Sequence, residues 1–140
     1  MLHEVRYERL RVGFNFNVYL CYSVDSYFIT IFCMAVVVVT DESFEKEVNQ
    51  SALPVIVDFF AVWCGPCKMM SPVIDELAEA HEGVIKFCKI DVDESPASAG
   101  KFSVMSIPTL AFIKGGKLVD TVVGFQSKDK LEQKVKAFIA

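Results

Sequence analysis

Phe59-Phe60-Ala61-Val62-Trp63-Cys64-Gly65-Pro66-Cys67-Lys68 runs from an apolar strand into two cysteines spaced to close a small ring. One helical turn separates Cys64 from Cys67, so a helix starting between them brings both sulfurs together. A first cysteine at a helix N-terminus meets orphan N–H groups and the positive end of the macrodipole, which favour a thiolate. Cys64 is therefore the candidate attacking thiolate and Cys67 the candidate resolving thiol. Gly65 and Pro66 fit the intervening turn, because proline pre-sets φ and lacks an N–H that would be orphaned there. The competing reading, half of a structural zinc site, needs a second matching pair of ligands. The remaining candidates, Cys21, Cys33, Cys88, His3 and His81, have no such spacing, so no metal is expected.

Trp63-Cys64-Gly65-Pro66-Cys67-Lys68 after an apolar strand, with Ile107-Pro108-Thr109 downstream, resembles the thioredoxins, particularly the bacterial type, from about Met34 to Ala140. A Cys-X-X-Cys near a βαβ pattern is a general signal of this kind, and the full set is more specific. The resemblance implies an α/β thioredoxin fold, a mixed five-stranded sheet flanked by four helices. It also implies reduction of protein disulfides by dithiol–disulfide exchange through Cys64 and Cys67, with no bound cofactor beyond their reversible disulfide. Implied partners are disulfide-containing client proteins and a thioredoxin reductase, either an NADPH-dependent flavoprotein or a ferredoxin-linked enzyme.

Composition sets the outer bounds. A chain of 140 residues with 53% hydrophobic content suits one domain with a single core. A net charge of −4 and scattered basic residues give no field for nucleic acid. Five cysteines with one recognisable pair argue against a secreted disulfide framework and for a reducing, cytoplasmic setting. A monomer is expected.

From Met34 the chain alternates strand-like and helix-like segments, as an α/β domain does. Strands are predicted at 36–39, 54–60, 84–92, 109–113 and 117–123, with Gly115-Gly116 marking a hairpin. Helices are predicted at about 41–51, capped by Thr40 or Asp41, then from Cys64 onward with an expected kink at Pro72, at 96–102 and at 127–139. The continuous apolar run before the cysteines reads as a central strand buried on both faces.

Asp58 stands out inside Val55-Ile56-Val57-Asp58-Phe59-Phe60, because an ionised carboxylate in a dry strand is costly unless paired or used. It reads either as a strand-end acid reaching water or as a carboxyl of raised pKa behind Cys67 that takes the Cys67 proton. The resemblance carries an aspartate here and so favours the second. Lys89 resembles the lysine that neighbours this aspartate in the family; an exposed strand lysine is the alternative. Pro108 reads locally as a strand-start residue. By resemblance it is a cis proline packed on the cysteine pair, and Ile107 offers its backbone to a client peptide added as a short strand. Trp63, Gly65, Pro66, Ile107, Pro108 and Gly124 complete the implied substrate-binding set; a core tryptophan at Trp63 and a glycine that simply ends the fifth strand at Gly124 are the alternatives. Cys88 reads as a small buried hydrophobe.

Two rival functions share the fold. A disulfide-forming or isomerising enzyme of an oxidising compartment is one, against which the Gly-Pro dipeptide speaks; a structural subunit docking through the same surface is the other.

Residues 1–33 are an N-terminal extension, in which Arg6, Arg9 and Arg11 precede an apolar stretch from Val18 to Ala35 broken by Asp25. Three readings are open: a membrane anchor or export signal ending near Ala35, a leader upstream of a start at Met34, and a folded accessory element. A span is marginal, since about 20 apolar residues are needed and Asp25 would sit within it. The extension is expected to be dispensable. Deleting residues 1–33 should leave insulin-disulfide reduction and the melting temperature equal to those of the full chain, as turbidity and calorimetry would read. A large drop in melting temperature would show that the extension packs on the domain.

Overall fold

The computed structural model describes the backbone of residues 5–11, 17–23 and 26–32 and the full residues 36–140. The chain divides into two compact units, Met1–Ala35 and Val36–Ala140.

In the first unit, β1 (Val5–Arg11), β2 (Asn17–Ser23) and β3 (Ser26–Phe32) form an antiparallel sheet in sequence order. Arg11 pairs with Asn17 and Val5 with Ser23, while Tyr19 pairs with Phe32. The stretch considered above as a helical span thus runs as two strands for most of its length. The run of β-branched and aromatic residues over Ser26–Phe32 suits a strand better than a helix. Among the described residues no helix is long and apolar enough to cross a membrane. Ala35, the candidate cleavage site, lies outside the described residues.

The second unit is a five-stranded sheet in the order β4-β6-β5-β7-β8, formed by β4 (Val36–Val38), β5 (Val55–Phe60), β6 (Lys86–Asp91), β7 (Thr109–Lys114) and β8 (Lys117–Val123). β4 and β5 run parallel to β6, whereas β7 is antiparallel to both β5 and β8. Four helices accompany it: α1 (Glu45–Asn49, π-helical), α2 (Gly65–Ala80), α3 (Pro96–Lys101) and α4 (Lys128–Ile139).

β5 is paired on both edges and buried from Val55 to Phe59, as its unbroken apolar run requires. Successive side chains alternate faces. Val55, Val57 and Phe59 join Val39, Phe44, Val48, Cys88, Ile90, Ala111 and Ile113 in one core cluster. Phe102 stacks at a tilt on both Phe44 and Phe59. On the opposite face Phe112 meets Phe138 of α4 edge-on. Gly115 and Gly116 turn β7 into β8 with positive φ at both positions, the requirement of a two-residue hairpin of this hand. A Cβ at Gly116 would also approach the Asn49 carbonyl to 3.1 Å.

Two elements depart by more than one residue from the sequence expectation, for local reasons. The third strand of this sheet begins at Lys86 rather than at residue 84, because the Val84 and Ile85 N–H groups are turned back onto the His81 carbonyl. The first helix is shorter than expected and π-wound, with the Gln50 N–H on the Glu45 carbonyl. Thr40 and Ser43 exchange the reciprocal bonds of a capping box before it. Asp41 is drawn elsewhere: its carboxylate accepts from the Ala97 N–H at 3.1 Å and from the Ser98 N–H and hydroxyl at 2.7 and 2.6 Å. It therefore caps α3 from 56 residues away.

Those three donors, the Ser98 hydroxyl foremost, hold the Asp41 carboxyl below its ordinary pKa. A depressed acid stabilises the fold fully above its unfolded pKa and loses that contribution as pH falls through the folded one. Asp41→Asn should therefore melt below the parent at neutral pH, and the gap should close as pH drops below the usual aspartate range. Thermal denaturation at pH 7 and pH 3 checks this.

Candidate active site

The site grows from the C-terminal end of β5. Chain leaving the buried strand turns through Ala61, Val62 and Trp63 and enters α2 with Cys64 as its N-cap residue, in extended conformation. The Cys64 sulfur accepts the Cys67 N–H at 3.2 Å, and the Cys64 N–H is held by the Ala61 carbonyl. Cys64 and Cys67 are joined as a disulfide with a Cα–Cα distance of 5.3 Å. Pro66 falls in the first turn, where a missing N–H leaves nothing unsatisfied. Pro72 lies inside α2 without ending it.

Both sulfur-bearing residues are nearly covered, while Val62, Trp63, Gly65 and Pro66 around them are exposed. Ala61, Cys64 and Cys67 form a small apolar cluster on which Phe60, Val92 and Ile107 pack. Ile107 precedes Pro108 through a cis peptide bond. The Pro108 carbonyl accepts from Gly124, whose φ of 83° suits glycine. The Thr109 hydroxyl donates to the Ser106 carbonyl across the same turn. Trp63, the cysteines and Ile107 are thus brought together, with Pro108 tying the turn to Gly124.

Asp58 lies on β5 on the face opposite to the Val57 and Phe59 cluster, 2% exposed. Burial pushes its carboxyl up to about 7; Lys89 pulls it down and Asp75 pushes it up further. The register places Lys89 directly beside it on β6. The Lys89 ammonium, however, donates to the Ser71 hydroxyl and to Asp75 Oδ1 on α2. Among the described residues Asp58 Oδ1 has no hydrogen-bond partner.

Cys88 is fully buried and its thiol is pushed up to about 12, chiefly by that burial, which leaves it an inert part of the core. Among the described residues no group of three His, Cys, Asp or Glu side chains is placed to hold a metal ion.

Three participants escaped the sequence reading. The Trp63 indole N–H donates to Asp93 Oδ2 at 2.8 Å across 30 residues of chain, a contact that no local pattern signals. Ser71 and Asp75 follow Cys67 at i+4 and i+8, so helical spacing alone aligned them with the cysteine.

A family model described as Thioredoxin matches residues 35–137. The thioredoxin of Pyropia yezoensis is 49% identical over 107 residues, covering 76% of this chain and all of the relative. Thioredoxin 1 of Nostoc sp. is 52% identical over 95 residues, covering 68% of this chain and 89% of its own. The thioredoxin of Staphylococcus aureus is 52% identical over 100 residues, 71% of this chain and 94% of the relative. The chain belongs to the thioredoxin family. As a thioredoxin it is a protein-disulfide reductase that works by dithiol–disulfide exchange through Cys64 and Cys67, without a bound cofactor. Disulfide-containing substrates and a thioredoxin reductase are its general partners.

Asp58 makes this thioredoxin less stable than it could be. Because its folded pKa stands above the unfolded value, its cost is absent below about pH 4, grows between the two values and is complete above about pH 7. Asp58→Asn should raise stability at pH 8 by roughly 4 kcal/mol at most, from a shift of about three pKa units at about 1.4 kcal/mol each. The gain should vanish near pH 4, as urea denaturation at the two pH values would show.

Proposed function

We propose that Cys64 is the attacking thiolate, Cys67 the resolving thiol and Asp58 the base that serves it. The observation that carries this reading is the position of Cys64 as N-cap of α2, with its sulfur on the Cys67 N–H and bonded to the Cys67 sulfur.

In the reduced protein the N-terminal N–H groups of α2 favour a thiolate at Cys64. That thiolate attacks one sulfur of a client disulfide, forms a mixed disulfide and expels the other client sulfur as a thiolate. The buried Asp58 carboxylate takes the Cys67 proton, directly or through water, and the Cys67 sulfur attacks Cys64 Sγ. The second client sulfur leaves. Two electrons have passed to the client, and the protein holds the Cys64–Cys67 disulfide. A carboxyl titrating near neutrality is suited to both accepting and returning that proton.

Trp63, Gly65, Pro66, Ile107, Pro108 and Gly124 are the docking surface in this reading. The exposed Trp63 ring and the turn around Pro66 offer apolar area beside the disulfide, and the Ile107 backbone offers an edge to an extended client segment. Lys89 tempers the charge on Asp58. The protein acts as a monomer in the cytoplasm, in electron transport and redox homeostasis, and a reductase of the NADPH–flavin or ferredoxin-linked type returns it to the dithiol. The acidic net charge and the lack of a secreted cysteine framework support that setting.

Cys67→Ser should accumulate mixed disulfides with client proteins through Cys64, since attack survives and resolution does not. Cys64→Ser should trap nothing. Non-reducing gels read both, and equal trapping by the two variants would reverse or dissolve the assignment of roles.

A further inference from the structure

Cys67, Ser71 and Asp75 lie at i, i+4 and i+8 on α2, a single stripe of the helix. The parallel register of β5 and β6 sets Asp58 beside Lys89 with both side chains on one face of the sheet. An ammonium next to a buried carboxylate would ordinarily pair with it, because each desolvated charge is otherwise left uncompensated. Here the Lys89 ammonium turns to α2 instead, to the Ser71 hydroxyl and, at 3.3 Å, to Asp75 Oδ1. The pair is only partly screened, with Lys89 16% and Asp75 33% exposed at the side chain.

We propose that Ser71 and Asp75 are a latch on the Lys89 ammonium that holds it off Asp58, making Ser71 a positioning residue for the buried carboxyl. Among the described residues the charged groups acting on Asp58 are Lys89 from β6 and Asp75 from α2. β7 sets the apolar Leu110 opposite it, and α2 also carries the Cys67 thiol in the reduced protein. Holding the cation at a distance leaves the burial of Asp58 largely uncompensated, which keeps its proton affinity in the neutral range. Releasing the cation lets it approach and favours the carboxylate. The latch sits on the helix that also bears the resolving sulfur, so one element sets both partners of the proton transfer.

The proposal deepens the reading of Asp58 as the base and rests on it for its catalytic meaning. Its test reads the carboxyl itself. Ser71→Ala removes a hydrogen bond and no charge, so the Asp58 midpoint followed by carboxyl-carbon NMR in the full chain should fall by roughly 0.5 to 1 pH unit, a fraction of the 1–3 produced by an opposite charge in contact. Ser71→Thr, which keeps the hydroxyl, should restore it. Lys89→Met should raise the midpoint, and adding Ser71→Ala to Lys89→Met should then change nothing. An unmoved midpoint in Ser71→Ala, or a shift that persists without Lys89, would overturn the latch. Resolution rates in the same variants test the other reading separately: a moved midpoint without a moved pH–rate profile supports the latch and removes Asp58 as the base.

Discussion

The constraint on which the rest depends is that β5 is paired along both edges, with β6 and β7, and buried on both faces. A strand so placed satisfies its backbone polar groups through both neighbours and can carry apolar side chains throughout. It also fixes where the chain emerges. α2 starts five residues past the end of β5, so the cysteine pair is anchored at one end to the most buried segment of the fold.

The same burial makes Asp58 costly. Its carboxyl is buried, with one oxygen unpartnered among the described residues and its proton affinity raised into the neutral range. A sequence selected only for stability would place an apolar residue or an amide there. The chain instead retains a titratable group and a nearby cation whose own hydrogen bonds are taken by α2. Local conflict of this kind, inside a segment otherwise consistent at every level, is what supports the proposed reading of Asp58 as the base.

A second theme is the use of distant carboxylates to fix short segments. α3 has only six residues and could not hold itself by propensity; Asp41 supplies acceptors to its first N–H groups from the far side of β5 in sequence. Asp93 does the same for the Trp63 ring, giving an exposed aromatic a defined orientation beside the disulfide. In each case one carboxylate ties a short segment to a distant part of the chain, through three hydrogen bonds at Asp41 and one at Asp93.

The sequence alone determined the order of strands and helices from residue 36 onward, the redox pair, the Gly115-Gly116 hairpin and the anomaly of Asp58. These are set by periodicity, by turn chemistry and by residue type, which act within a few positions of chain. The fold family and the outline of the site came from the resemblance carried by the residues around Cys64 and Pro108. Only tertiary structure decided the remainder. Asp41 caps a helix 56 residues away rather than its own, and Trp63 finds Asp93. Lys89 borders Asp58 by register yet bonds to Ser71 and Asp75. In the extension the apolar stretch runs as strands, since a short apolar run is compatible with either period and its pairing partner in sequence decides. Each of these turns on which side chains meet across the sheet or between segments, and distance along the chain carries no record of that.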